Sequence, residues 1–117
     1  MESKTAVAAL SALAHEGRLA AFRLLVQAGP EGLAAGDLAR RMHVPANTLS
    51  ASLGVLARAG LVESRRDGRS IIYSARFDQM SALLVHLVQD CCQGRLEVCT
   101  PLAAAVQSSC CGEASHV

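Results

Sequence analysis

A change of hydrophobic period near Gly60 constrains the fold of this chain more than any other feature. Before that glycine, residues 46–59 carry leucines at the helical spacing of three and four positions. After it, two short runs rich in Val, Ile and Tyr flank the tetrapeptide RDGR. Asp67-Gly68 between such runs is typical of a β-hairpin turn. The sequence therefore predicts a helix that is followed directly by a hairpin.

Three helices are predicted ahead of this pair of elements. The first covers residues 3–14 and the second covers 16–28, each with one apolar side. The tetrapeptide GPEG at 29–32 ends the second helix in a turn. A short third helix covers 35–42, and Pro45 opens the helix after it. The predicted apolar sides consist of Val7, Leu10, Leu13 and Ala14 in the first helix, and Leu19, Phe22, Leu25 and Val26 in the second.

A last helix is predicted after Phe77. Asp78 is placed to cap its start and Gly94 to end it. We divide the chain into one domain at 1–100 and a short C-terminal extension at 101–117, which is predicted to form a short helix and a loose tail. The apolar stripe of the last helix is Met80, Leu83, Leu84, Leu87, Val88 and Cys91.

Composition favours a single, largely helical domain. The chain has 117 residues and is 51% hydrophobic, which is enough to build a core, but only 3% aromatic, so Leu, Ala and Val must fill it. No apolar run is long enough for a transmembrane helix, and the N-terminus lacks the pattern of a secretory signal. We therefore expect a cytoplasmic protein, where clustered cysteines more often bind metal than form disulfides.

The charges of the chain are unevenly distributed. Residues 38–77 hold seven arginines and two acidic residues, a net charge of +5, whereas the rest of the chain carries −4. Such a split indicates a basic functional surface on a protein that is otherwise nearly neutral. The alternative is a solvated surface that happens to be rich in arginine.

The order of a short helix, a proline-initiated helix and a hairpin is that of a winged helix-turn-helix, mostly α with a β-hairpin. The second of these helices fits a DNA major groove, with Leu49, Leu53 and Leu56 facing the core. Asparagine there can read adenine, and hairpin arginines can follow the backbone or enter the minor groove. The alternative role of Asn47 and Thr48 is to cap the start of the helix. The candidate DNA-binding residues are Asn47, Thr48, Ser50, Ser52, Arg58, Arg65, Arg66 and Arg69, with Ala51 on the same side.

Two segments resemble the ArsR/SmtB family of metal-sensing repressors: LAHEGRLAAFRLLV, and GLAAGDLARRMHVPANTLSASLGVLARAGLVESRRDGRSIIYS. The resemblance covers residues 8–93. It implies a homodimer that packs through its first and last helices, binds double-stranded operator DNA when metal-free and releases it when metal binds. It implies no enzymatic activity and no membrane partner.

The chain departs from two metal sites of this family. Many arsenic sensors carry two cysteines beside the recognition helix, where this sequence has Ala34 and Gly36. The zinc sensors use Asp and His of the last helix, and here Asp78 and His86 lack the further histidines. The remaining stretch, DCCQGRLEVC, resembles a branch whose arsenic site lies at the end of the last helix. By this resemblance the metal ligands are Cys91, Cys92 and Cys99.

The chemistry of three thiols is compatible with that interpretation. Adjacent residues of a helix point about 100° apart, so Cys91 and Cys92 converge only where the helix ends, which Gly94 allows. Soft thiolates select soft ions, and three of them suit the pyramidal coordination of As(III) or Sb(III) as inducer. Zinc would need a fourth ligand, for which the candidates are His86, Asp90, Cys110 and Cys111.

Several alternatives stay open at this point. Cys91 alone could be a buried residue of the dimer interface. Cys110 and Cys111 could form an auxiliary metal-binding pair or have no role. The inducer could be a methylated arsenical or Cd(II), Pb(II) or Zn(II), and a thiol redox switch is a further alternative.

Overall fold

The computed structural model describes residues 1–89, which form five α-helices and a small antiparallel sheet. The helices and the hairpin lie where the sequence predicts them. The predicted helix end at Gly94, the 101–117 extension and all five cysteines lie outside the described residues. Within 1–89, no helix is both long enough and apolar enough to cross a bilayer. The elements are α1 (Ser3–Leu13), α2 (Glu16–Ala28), β1 (Leu33–Ala34), α3 (Ala35–Met42), α4 (Ala46–Arg58), β2 (Val62–Asp67), β3 (Ser70–Ala75) and α5 (Phe77–Gln89).

The core of the unit Met1–Leu83 is built mainly from leucines and alanines. The predicted inner side of α4 is confirmed, because its three leucines are at most 2% exposed. Burying a leucine side chain stabilises a fold by about 1.5–3 kcal/mol, so these positions fix the orientation of α4. The fully buried large side chains are Leu25, Leu38, Leu49, Leu53, Leu56 and Leu61.

The apolar side predicted for α1 is not the side that faces the core of this unit. Alanines at positions 6, 9 and 12 face the core, whereas Val7 is 64% exposed and Leu10 is 40% exposed. Small side chains on the inner side of α1 allow it to pack closely in the core. In α2, Phe22 and Leu25 are buried as predicted, but Leu19 is 43% exposed.

The sheet has the strand order β1-β3-β2, and β1 was not predicted. This strand has two residues, Leu33 opposite Tyr73 and Ala34 opposite Ile72, which is too short to show an alternating pattern. It joins α3 directly to the hairpin. The start of the helix-turn-helix is therefore held by the sheet.

The turn of the hairpin lies one residue later than predicted. Asp67 pairs with Ser70, so the two-residue loop is Gly68-Arg69. Gly68 has a φ of 63°, and Arg69 has no positive φ. Glycine at the first loop position is the signature of a type II′ turn, which suits the twist of the strands.

Two predicted helix-start positions are also corrected. Pro45 is the N-cap residue of α4 rather than its first helical residue, and it follows the left-handed His43 (φ 57°) at the end of α3. Asp78 lies inside the first turn of α5 rather than before it. Its carboxylate accepts a 2.9 Å hydrogen bond from Arg76, which lowers the pKa of Asp78.

Candidate nucleic-acid interface

The outer face of α4 is polar, small and exposed. Buried leucines on the opposite side hold the helix so that this face points away from the core. Of the predicted contact residues in α4, only Ser52 is partly buried. The exposed ones are Asn47, Thr48, Ser50 and Arg58, together with Ala51. The structure therefore brings the predicted α4 residues onto one accessible surface.

Asn47 takes part in the local structure of the helix start. Its Oδ1 accepts a 3.0 Å hydrogen bond from the backbone N–H of Thr48. The N-cap residue, Pro45, offers no side-chain bond to the first turn. Asn47 therefore satisfies one N–H group from inside the first turn rather than from the N-cap position, and its amide NH₂ is a hydrogen-bond donor.

Arg58 extends back along the outer face of α4. A Cβ added at Gly54 would lie 3.4 Å from Nη1 of Arg58, so the guanidinium lies beside that glycine. Residues four apart share one face of a helix. The absence of a side chain at Gly54 thus leaves the arginine room near the middle of the exposed surface.

The three arginines predicted in the hairpin differ in their surroundings. Arg65 donates a 2.9 Å hydrogen bond from Nη2 to the carbonyl oxygen of Glu31, so it ties β2 to the turn before β1. Arg66 and Arg69 are exposed and pair with no residue in the described part of the chain. Adjacent strand residues point to opposite faces, which explains why Arg65 and Arg66 differ.

This difference predicts distinct effects of two alanine substitutions. We expect Arg66→Ala to reduce the salt dependence of DNA binding by about one counterion and to leave stability unchanged. Arg65→Ala is expected to lower the free energy of unfolding by about 1 kcal/mol, because the Glu31 carbonyl loses its donor. Anisotropy titrations at several salt concentrations and thermal denaturation measure the two effects. An unchanged salt slope in Arg66→Ala would exclude a phosphate contact there.

A cavity of about 460 Å³ lies between the start of α3 and the strand β3. Its lining includes Ala34 and Gly36, the positions where many arsenic sensors hold thiols, and also Arg40 and Arg69. Asp37 forms an ion pair with Arg40 at its edge. Across residues 1–89, no group of three potential ligands is close enough to hold a metal ion. Arg40 belongs to the basic segment 38–77, but its position in the same cavity as Arg69 was not predicted from the sequence.

A second cleft, of about 450 Å³, separates the start of α2 from α4. His15 and Arg18 line it together with Asn47, Thr48 and Ser52. Neither His15 nor Arg18 was among the candidate DNA-binding residues predicted from the sequence. The available signal was the position of His15 immediately before a predicted helix start, where a side chain can accept backbone hydrogen bonds.

Known proteins similar to this chain are transcriptional regulators. Residues 13–65 match the model of a family described as a helix-turn-helix domain. The chain is 32% identical over 85 residues to the HTH-type transcriptional regulator YgaV of Escherichia coli, covering 73% of this chain and 84% of the relative.

Two solved structures extend the similarity to the whole winged domain. One is the homodimeric winged helix-turn-helix DNA-binding domain of Mb0332 from Mycobacterium bovis, described as a possible ArsR-family transcriptional regulator (31% identity, TM-score 0.61, 80% of this chain and 83% of that one). The other is reduced HlyU from Vibrio cholerae (30% identity, TM-score 0.60, 74% of this chain and 90% of that one). The sequence similarity, the helix order and the wing together show that this chain belongs to the ArsR-type family of winged helix-turn-helix transcriptional regulators.

Proposed function

We propose that this chain is a repressor that binds operator DNA when metal-free and releases it when Cys91, Cys92 and Cys99 bind As(III) or Sb(III). The observation that carries the DNA-binding half is the exposed polar face of α4, which the buried leucines hold outward. The inducer half rests on the sequence, because all five cysteines follow α5, at positions 91–111.

The proposed binding mode requires two copies of the chain. A dimer presents two recognition helices to half-sites about one turn of DNA apart. Mb0332, to which the chain is similar, is homodimeric. In this chain α1 exposes Val7 and Leu10. We propose that these apolar side chains of α1 are covered in a homodimer.

The inducer is inferred from the donor set. Three thiolates are soft ligands, and the chain offers them within nine residues, Cys91 to Cys99, without a thiol at 34 or 36. Because a thiol must lose its proton to bind, inducer affinity should rise with pH as the thiols ionise. Coupling between inducer and DNA is reciprocal, so operator DNA should weaken inducer binding by the same factor.

Arsenite titrations of the DNA complex test this proposal. The probe is a duplex selected from a random library by the wild-type chain, with its release followed by anisotropy under reducing conditions. We expect Cys91→Ser, Cys92→Ser and Cys99→Ser each to raise the arsenite concentration for half-release by about tenfold or more, since lost support of a metal site typically costs about 10–100-fold in affinity.

The matched control is the double variant Cys110→Ser/Cys111→Ser, which removes two thiols of the C-terminal extension. It should release DNA at the wild-type arsenite concentration. If all three single variants release DNA at the wild-type arsenite concentration, the assignment of the three thiols is refuted. The proposal that α4 binds DNA is not affected by that result. Methylarsenite, antimonite, Cd(II), Pb(II) and Zn(II) in the same assay identify the preferred inducer.

A second candidate is a thiol redox switch, which the similarity to a structure of reduced HlyU favours. Hydrogen peroxide would take two electrons and two protons from a pair of thiols, forming one disulfide and two waters. This candidate would be supported over the metalloid sensor if peroxide releases the DNA, dithiothreitol restores DNA binding and arsenite releases no DNA.

A further inference from the structure

The imidazole of His15 is held in one orientation at the start of α2. Its Nδ1 accepts hydrogen bonds from the backbone N–H groups of Gly17 at 3.1 Å and Arg18 at 3.3 Å. The ring also lies close to Gly17, where an added Cβ would come within 3.2 Å of Cε1. The two backbone hydrogen bonds therefore fix the ring, and the glycine at position 17 leaves room for it.

This arrangement determines where the proton of the neutral ring resides. A nitrogen that accepts a hydrogen bond carries no proton, so neutral His15 must be protonated on Nε2. The ring already satisfies the N–H groups of Gly17 and Arg18 in the first turn of α2. What His15 offers to a ligand is the N–H donor on the opposite side of the imidazole, and the side chain is exposed.

His15 lines the cleft between the start of α2 and the recognition helix α4. Thr48 and Ser52 contribute hydroxyl groups to the same cleft. Arg18 also lines it, and that side chain is anchored by a 2.6 Å hydrogen bond from Nε to the carbonyl oxygen of Ala12 and a 3.5 Å bond from Nη2 to that of Ser11. The cleft thus combines a fixed cation, an oriented N–H and two hydroxyls.

We propose that His15 is a DNA-backbone contact, whose Nε2–H donates to a phosphate oxygen of the strand beside the groove that α4 enters. The inference rests on the proposed DNA binding by α4. A phosphate is favoured over a base because the cleft holds the anchored guanidinium of Arg18 beside the imidazole. Hydrogen bonds to a charged acceptor are stronger than neutral ones, and the Arg18 charge favours an anion at this place.

The variant His15→Asn provides a clean test, because asparagine retains the ability to cap α2 but does not reach the position of Nε2. We expect the thermal midpoint to stay unchanged and DNA affinity to fall about tenfold for specific and random duplexes alike. Because the neutral histidine displaces no counterion, the slope of affinity against salt should not change. If the slope of affinity against salt does change, the substitution acts indirectly through the arginine contacts to DNA, and the proposal is overturned.

His15→Asp separates DNA contact from helix capping. Aspartate is an effective N-cap, so this variant should be at least as stable as the wild type, yet its charge beside phosphate should lower affinity further than asparagine does. If His15→Asp instead binds DNA as tightly as the wild type and is equally stable, the histidine acts only as a cap and the proposal is wrong.

Arg58→Ala serves as the reference variant on α4. Reduced binding by Arg58→Ala with wild-type binding by His15→Asn would reject the His15 contact and retain the proposed function. A wild-type chain that selects and binds no duplex at all would reject the proposed function itself.

Discussion

Replacing Gly32 with alanine is expected to lower the free energy of unfolding by about 3–5 kcal/mol. Two costs combine at this residue. Its φ is +75°, a region that residues with a side chain rarely adopt. A Cβ would also overlap the backbone carbonyl oxygen of Tyr73 and come within 3.0 Å of its carbonyl carbon. Because both obstructing atoms belong to the backbone of β3, they cannot move aside as a flexible side chain could.

Gly60→Ala is the matched control for this prediction. Gly60 has a φ of +80°, but an added Cβ would meet nothing within 4 Å. It should therefore show only the conformational cost, about 1–2 kcal/mol. Urea denaturation of both variants measures the difference. If Gly32→Ala and Gly60→Ala lower the free energy of unfolding equally, the close approach of Gly32 to Tyr73 does not contribute to the loss.

The consequence of Gly32→Ala should extend to DNA binding. Gly32 immediately precedes β1, and β1 leads without a break into α3. Separating β1 from β3 would release the start of the helix-turn-helix and the Arg65 bond to Glu31 together. We therefore expect the variant to lose DNA affinity along with its stability.

Local signals made most of the fold predictable from sequence. The GPEG turn, the Val44-Pro45 pair and Gly60 each mark a helix end through backbone preferences that act within a few residues. The buried leucines of α4 could be predicted for the same reason, because their spacing reports a single helix.

Features that depend on contacts between distant elements could not be predicted in this way. The inner side of α1 is set by its neighbours, which accommodate alanines and leave Val7 exposed. The strand β1 exists only because β3 pairs with it. His15 joins the candidate site because α2 lies beside α4, a relation that no local pattern shows. The proposed thiol site, in contrast, stays a prediction from sequence, because its residues lie outside those described.

Ala51→Glu is expected to weaken DNA binding by about 100-fold or more. Ala51 is exposed and lies four residues after Asn47, so both share the outer face of α4. A carboxylate at this position would meet the negative potential of DNA at close range, and such like-charge contacts cost several kcal/mol, where 1.4 kcal/mol corresponds to a tenfold change. Glutamate is a good helix former, so the fold itself should tolerate the change.

The same substitution at Ala20 separates a local effect from a change in total charge. Ala20 is exposed on α2 and lines a different cleft, together with Arg23 and with Arg41 of α3. Because Ala20→Glu alters net charge by the same amount, it should weaken binding by no more than about twofold to threefold, through long-range repulsion that salt screens. Anisotropy titrations with the selected duplex compare the variants, and circular dichroism verifies their helix content. If the two glutamates weaken binding equally, the effect is one of net charge, and the outer face of α4 does not contact the DNA.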